Sequence, residues 1–211
     1  MKPVPLGLTH LGFIVICIFL FLKWGAHFGS IGLLPLGPMV FLGLLPLLFC
    51  FWPLRLSLNE MGLCRVQRSP AALKVLAAAA LLAPPIIIVG MKTSEAENFY
   101  GALFGAGSAK WGVILRLSGF AIASTLLLEF FFRSFCLMGL RRYRFLPVWA
   151  LGSLVVVGEI VAHIQKPAIE ALGMGVLSVA LCWISQKTAS IWLAVLLHLW
   201  IEIWFVFSFL V

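Results

Sequence analysis

Seven long apolar stretches, each about as long as a membrane is thick, constrain this chain more than any other feature of its sequence. A helix needs ~20 predominantly apolar residues to cross the hydrocarbon core of a bilayer. Of the 211 residues, 63% are hydrophobic and only 10% are charged, too few charges for the surface of a soluble domain. The sequence therefore predicts an all-α, polytopic transmembrane helical bundle of about seven or eight spans. The predicted spans are residues 8–24, 31–52, 71–91, 111–140, 146–164, 168–185 and 191–211.

These spans leave no room for a separate soluble domain, so we expect a single integral membrane domain over residues 1–211. The longest polar connection follows the third span. There, Ser94 and Glu97 have the spacing of a capping box, which predicts a short helix at the membrane surface. The third span itself contains Pro84 and Pro85, which remove two backbone donors and are expected to kink the helix.

Basic residues concentrate in alternate connections, and the net charge is +8. Because cytoplasmic loops carry an excess of Lys and Arg, we expect an integral membrane protein whose N-terminus is inside. No run of Lys and Arg alternates with exposed aromatic residues, which argues against a nucleic-acid partner. The basic residues then placed inside are Lys2, Arg55, Arg65, Arg68, Lys74, Arg141, Arg142, Arg144 and Lys187, and those placed outside are Lys23, Lys92, Lys110 and Lys166.

Ionisable residues also occur inside the later apolar spans, as three pairs with i, i+4 spacing: Glu129 with Arg133, Glu159 with His163, and His198 with Glu202. Side chains four residues apart share one face of a helix. Each charge is costly in lipid if left unpaired, so a chain keeps such pairs either to lock helices together or to do chemistry. A buried carboxylate can act as a general base toward water, and a neighbouring histidine can orient that water.

The residues alone leave three interpretations open. The pairs can be structural, in which case the chain is a membrane binding, immunity or regulatory protein. They can hold zinc or two irons, since histidine and glutamate are ligands for both, and the chain is then a membrane metalloprotease. They can also form a metal-free catalytic site. Aspartyl intramembrane proteases are excluded because the sequence has no Asp, and the GxSxG and HExxH motifs are absent.

The order of these residues resembles the CAAX-protease and bacteriocin-processing family of intramembrane proteases. The family's Glu-Glu-x-x-x-Arg motif is similar to the segment that begins at Glu129 and ends at Arg133. His163 is similar to the histidine of its Phe-x-x-x-His motif. His198, preceded by TASIW, is similar to the histidine of its last motif, His-x-x-x-Asn or Asp. The resemblance covers residues 126–202.

Three positions depart from the family pattern. Leu128 replaces the first glutamate of the doublet, Glu159 replaces the phenylalanine of the second motif, and Glu202 replaces the final Asn or Asp. The chain therefore resembles a branch with a single glutamate in the first motif. We expect residues 1–110 to form variable N-terminal spans and residues 111–211 to form the family-like catalytic core.

The resemblance implies an intramembrane endopeptidase of a prokaryotic inner membrane that uses no cofactor and no required metal. Its partners would be the lipid bilayer and a membrane-anchored protein or peptide, such as a bacteriocin leader or a C-terminal sorting tail, rather than a prenylated protein. The implied roles are general base for Glu129 with Glu159 as the alternative, orientation of water for His163, and oxyanion stabilisation or positioning for His198 and Glu202. Arg133 would either orient Glu129 or hold the helices together.

Overall fold

The computed structural model describes residues 4–30, 39–104, 110–164 and 166–208. Every regular element in these ranges is a helix, so the predicted all-α fold class is confirmed. The described helices are α1 (Val4–Ser30), α2 (Met39–Phe51), α3 (Pro70–Met91), α4 (Ser94–Phe104), α5 (residues 110–141), α6 (Val148–Ala162), α7 (Ala168–Thr188) and α8 (Trp192–Ser208).

Four of these helices are long and apolar enough to cross a membrane: α1, α3, α7 and the Ala121–Arg141 part of α5. Helices α2, α6 and α8 are apolar but shorter, at 10–17 residues. Each predicted span thus contains one apolar helix. The start of the second predicted span (31–38) and the end of the seventh (209–211) lie outside the described residues. A total of seven or eight spans therefore stays a prediction.

Helix α5 is the central element of the bundle. Its turns widen to the π-helical form over Phe130–Met138, and all eight side chains of residues 131–138 are buried. A helix that packs by one face buries only about half of its positions. Eight successive buried positions therefore mean that this segment of α5 is enclosed on all sides, and helices α2, α6 and α7 pack against it. The phenylalanines of this segment form the main apolar core with side chains of α1 and α2.

One end of the bundle is closed by the connection between α2 and α3. In this connection Glu60 Oε1 lies 3.3 Å from Arg142 Nε in the turn after α5. The backbone N–H of Gln67 donates to the carbonyl of Thr188, at the end of α7, over 2.9 Å. Glu60 is therefore paired, rather than free in solvent as its position in a loop suggested. The α2–α3 connection, the turn after α5 and the end of α7 therefore meet here, and each carries basic residues that the sequence predicts to be cytoplasmic.

The short helix α4 forms where the sequence predicted it, but its capping residue is different. The N–H of Ala96 donates to Thr93 Oγ1 over 3.4 Å, and the N–H of Glu97 donates to the Thr93 carbonyl over 3.0 Å. The Thr93 hydroxyl also donates to the Gly90 carbonyl over 2.9 Å. Because this bond fixes Thr93 at the end of α3, Thr93 caps α4, and the predicted capping role of Ser94 is wrong.

Helix α4 packs against the start of α7, at the other end of the bundle. The N–H of Ala168 donates to Glu95 Oε1 over 3.1 Å, so Glu95 caps α7 instead of being a solvated loop charge. The Tyr100 hydroxyl donates to Glu170, which also pairs with Lys166. Burial and the Glu170 carboxylate raise the pKa of Tyr100 above its usual value. This end is separated from the Glu60 end by the length of α3, about 33 Å for its 22 residues.

Candidate active site

The Glu129 carboxylate is completely buried where the turns of α5 begin to widen. His198 of α8 places Nδ1 2.7 Å from Glu129 Oε1. An ionised carboxylate only accepts hydrogen bonds, so this imidazole nitrogen donates. The other carboxylate oxygen, Oε2, is buried and has no hydrogen-bond donor in the described part of the chain. Glu129 is thus held by one oxygen, and its second oxygen can accept a proton.

Arg133, one helical turn after Glu129, is directed mainly toward a different glutamate. Its Nη1 donates to Glu159 Oε1 over 2.7 Å, and its Nη2 lies 2.6 Å from Glu159 Oε2. The distance from Nη1 to Glu129 Oε1 is longer, 3.5 Å. The Nη1–Oε1 contact is a charge-assisted hydrogen bond, whereas Glu159 Oε2 accepts no hydrogen bond among the described residues and is held by the nearby charge. The i, i+4 spacing therefore identified a charged pair, but the stronger ion pair joins α5 to α6.

A third helix completes the surroundings of the guanidinium. Ser178 of α7 accepts a hydrogen bond from Arg133 Nη2 over 3.0 Å, and its side chain is buried. Nothing in the i, i+4 pattern indicated Ser178, because it is a single hydroxyl in the apolar run GMGVLSVALCW. A buried hydroxyl in such a run needs a partner, and that requirement is the only signal in the sequence that points to it.

His163 caps the C-terminal end of α6 and interacts with Glu159 through the backbone. Its Nδ1 lies 2.8 Å from the Glu159 carbonyl oxygen. A carbonyl only accepts, so Nδ1 donates, and a neutral ring then carries its lone pair on Nε2. Among the described residues His163 has no hydrogen bond to Glu129.

Glu202 lies at the edge of this group of residues. Its Oε1 is 3.7 Å from His198 Nε2, and its side chain is 24% exposed, whereas those of Glu129, Arg133 and Glu159 are 0% exposed. Glu202 is therefore the member nearest to the surroundings of the protein. The structure thus brings Glu129, Arg133, Glu159 and His198 into direct contact, and it connects Glu202 through His198 and His163 through the Glu159 backbone.

A metal ion is the first alternative to test against this geometry. Glu129, Glu159 and His198 each offer one ligand atom, and these atoms lie within 4.8 Å of one another. Carboxylates and imidazole are suitable zinc ligands. However, Arg133 already compensates the carboxylate charges, at 2.6 Å from Glu159 and 3.5 Å from Glu129. A cation at this position would have to displace the guanidinium, so the donor set fits a metal poorly.

Residues 110–204 match a family model described as Type II CAAX prenyl endopeptidase Rce1-like. All six candidate site residues fall within the matched range, and helices α1 to α4 fall outside it. The search of curated proteins and the search of solved structures gave no significant match. The match supports the resemblance found in the sequence independently of the side-chain geometry.

Proposed function

Because residues 110–204 match the model of the Rce1-like CAAX endopeptidases, we propose that Glu129 activates water to hydrolyse a peptide bond within the membrane. One observation carries this proposal. Glu129 is a buried carboxylate whose Oε1 is bonded to His198 and whose Oε2 has no donor among the described residues. A general base needs such an oxygen, because it must accept a proton while the side chain stays in place.

In the proposed reaction, Glu129 Oε2 accepts a proton from water as the water oxygen bonds to the carbonyl carbon. The carbonyl π electrons move to the oxygen and form a tetrahedral oxyanion. When the C–N bond breaks, the proton held by Glu129 passes to the leaving nitrogen. The products are a new carboxyl group and a new amine, so atoms and charge balance. His163 contributes by accepting a hydrogen bond at Nε2 from the second hydrogen of the water.

The remaining residues keep Glu129 in position and balance the charge. His198 donates to Glu129 through Nδ1, and its Nε2, on the Glu202 side, can donate to the oxyanion when the ring is protonated. Arg133 compensates the negative charge from one side. Glu159 Oε2 also accepts no hydrogen bond among the described residues. Glu159 is nevertheless the weaker candidate for the base, because the Arg133 guanidinium lies only 2.6 Å from this oxygen, where the proposed water would have to bind.

We propose that the N-terminus lies on the cytoplasmic side. The positive-inside pattern placed the α2–α3 connection, the turn after α5 and the turn after α7 inside. Contacts of Glu60 with Arg142 and of Gln67 with Thr188 join these three connections at one end. Lys166, placed outside by the same pattern, lies at the other end with α4. The two sets of basic residues are therefore separated as this orientation requires.

The direct test compares the wild type with Glu129→Gln on two quenched fluorescent peptides in lipid nanodiscs. One peptide ends in a prenylated CAAX sequence, and the other is anchored by a transmembrane segment without a prenyl group. We expect Glu129→Gln to lower hydrolysis by at least about 10²-fold at an unchanged unfolding temperature. The matched control is Glu97→Gln, since Glu97 is exposed on α4, and it should behave as the wild type.

Cleavage of the two peptides also distinguishes the possible substrate classes. A comparison of peptide termini then tests whether the protein is a binding or regulatory protein instead. Cleavage of the prenylated peptide alone identifies a prenylated substrate, and cleavage of the anchored peptide identifies the class expected from the sequence. If neither peptide is cut, peptide termini in membranes from cells with wild type or Glu129→Gln are compared. Identical termini at equal expression would reject the endopeptidase and favour a binding or regulatory protein of the same fold.

The three ligand atoms within 4.8 Å of one another support zinc-dependent hydrolysis as the second candidate. Incubation with a chelator and analysis of the metal content of the purified protein test it. Because Arg133 compensates the charge that a metal would otherwise neutralise, we expect activity to survive chelation. Loss of activity that is restored by zinc would reject the metal-free mechanism.

A further inference from the structure

Two adjacent prolines deprive helix α3 of two backbone donors. The helix continues through Pro84 and Pro85, neither of which has an N–H group. In an α-helix those N–H groups would bond to the carbonyls four residues earlier, which belong to Ala80 and Leu81. In hydrocarbon, where no water can replace the lost donor, an unpaired carbonyl costs several kcal/mol. The sequence of α3 therefore creates a demand for a donor from a neighbouring helix.

Trp200 of α8 meets this demand at one of the two carbonyls. Its indole Nε1–H donates to the Ala80 carbonyl over 2.9 Å. Trp200 lies two residues after His198 and two before Glu202, so the bond forms within one helical turn of both. The carbonyl released by Pro84 is thus bonded to the helix that holds Glu129 in place.

The bond is directional in a contact that is otherwise apolar. Around it, Ala79 and Ala80 of α3 lie in the apolar cluster that also contains Ala194 and Leu197 of α8. Apolar contacts between small side chains change little when one helix slides along the other. A hydrogen bond at 2.9 Å weakens steeply when it is lengthened or bent. Trp200 therefore sets the position of α8 along α3 in a way that the apolar contacts do not.

We propose that Trp200 is a positioning residue, and that its bond to the Ala80 carbonyl holds α8 where His198 can bond to Glu129. The proposal rests on the proposed function for its effect on turnover. The predicted effect of Trp200 on the His198–Glu129 hydrogen bond, which is 2.7 Å long, is independent of the proposed function.

The chain offers a matched control in Trp204, one turn further along α8. Its indole Nε1 is buried without a hydrogen-bond partner among the described residues. Trp200→Phe removes a bonded indole N–H, whereas Trp204→Phe removes one that is not bonded. A difference between the two variants therefore reports the hydrogen bond rather than the loss of an indole ring.

The prolines supply a test of whether the unpaired carbonyl itself is the cause. Pro84→Ala restores an N–H that can donate to the Ala80 carbonyl within α3, but it does not re-form the bond between α3 and α8, so in Trp200→Phe it should restore neither readout described below. Pro85→Ala restores a donor to the Leu81 carbonyl instead and controls for the loss of a proline. Both double variants remove one proline from the same turn, so they differ mainly in which carbonyl regains its donor.

Two readouts are measured in nanodiscs for all variants. The first is the low-field proton resonance of a histidine N–H bonded to a carboxylate, in protein with 15N-labelled histidine, assigned by its loss in His198→Gln. The second is kcat and KM on the peptide that the wild type cleaves. For Trp200→Phe we expect loss of the resonance and a fall in kcat of about tenfold or more at nearly constant KM.

Loss of both readouts in Trp200→Phe, with no restoration by Pro84→Ala, would support the proposal. It is overturned if Trp200→Phe keeps the resonance, if it behaves as Trp204→Phe does, or if Pro84→Ala restores the resonance, because the unpaired carbonyl rather than the bond between the helices would then be the cause. A lower unfolding temperature with an unchanged resonance would also overturn it, because Trp200 would then be merely structural. If the wild type cleaves neither peptide, the proposed function fails while the resonance still decides the role of Trp200.

Discussion

Glu129 and Glu159 are the same residue type, equally buried, and each lies one helical turn before a basic side chain, yet their surroundings differ. Both oxygens of Glu159 lie within 2.7 Å of the Arg133 guanidinium, although only Oε1 accepts a hydrogen bond among the described residues. Glu129 gives one oxygen to His198 and keeps the other free of donors among the described residues. The partner from another helix, the imidazole of His198 for Glu129 and the guanidinium of Arg133 for Glu159, therefore distinguishes two glutamates that look alike in the sequence.

Replacing each glutamate with glutamine in turn tests most directly whether Glu129 and Glu159 have different roles. We expect Glu129→Gln to lower peptide hydrolysis by about 10²- to 10⁴-fold while the unfolding temperature holds, because a general base is lost and no ion pair is broken at Glu159. Glu159→Gln should do the reverse, with a lower unfolding temperature and a smaller loss of activity. Activity and thermal unfolding are measured on the same preparations. Abolished activity in a fully stable Glu159→Gln would assign the base to Glu159.

Arg133→Met removes the cation that both glutamates share. We expect a loss of about 3–5 kcal/mol in unfolding free energy, because two carboxylates are left buried without a compensating charge. Unfolding by denaturing detergent in mixed micelles measures it. The control is Arg141→Met, since Arg141 is exposed at the end of α5. Equal stability of the two variants would mean that Arg133 does not hold the helices together.

Ser178→Ala removes one acceptor from the guanidinium and leaves Glu159 in place. We expect a loss of about 0.5–1.5 kcal/mol in unfolding free energy, the usual net contribution of one hydrogen bond. The same detergent titration measures it, with Ser153→Ala as control because Ser153 is exposed on α6. If Ser178→Ala lowered the unfolding free energy as much as Arg133→Met does, the Ser178 hydrogen bond would stabilise Arg133 as much as the contact with Glu159.

Glu202→Gln should have the smallest effect in this series. Its carboxylate is 3.7 Å from His198 and 24% exposed, so the pair contributes at most about 1 kcal/mol, or about fivefold in rate. Steady-state hydrolysis of the cleaved peptide measures the change. A loss comparable to that of Glu129→Gln would place Glu202 in the reaction itself.

The sequence predicted the helices and the polar residues of the site, but not which residues pair. Long apolar runs and i, i+4 spacing are local properties, so α3 and the Glu129–Arg133 face could be read from the chain. The contact of Arg133 with Glu159 spans 26 residues and depends on how α5 and α6 pack. Ser178, 45 residues from Arg133, could not be identified because no local pattern singles it out.

For the hydrogen bond between Trp200 and the Ala80 carbonyl, the sequence predicts the acceptor but not the donor. Pro84 indicates from the sequence alone that the Ala80 carbonyl has lost its donor, since the relation is fixed by helix geometry. The identity of the new donor is not local, because several tryptophans are available and only packing selects one. Likewise, Thr93 rather than Ser94 caps α4 because of its bond to Gly90 in the preceding helix, which the capping pattern does not include.

The burial of Glu129 and Arg133 bears on the time course of the proposed turnover. Neither residue has exposed surface, so a peptide substrate would reach the Glu129 carboxylate only after neighbouring helices move apart. Part of the binding free energy of the peptide is then spent on that separation, and the opening step can set kcat. The lipid around the protein therefore acts on the rate: a bilayer whose thickness favours separation should speed hydrolysis although every residue of the site is unchanged.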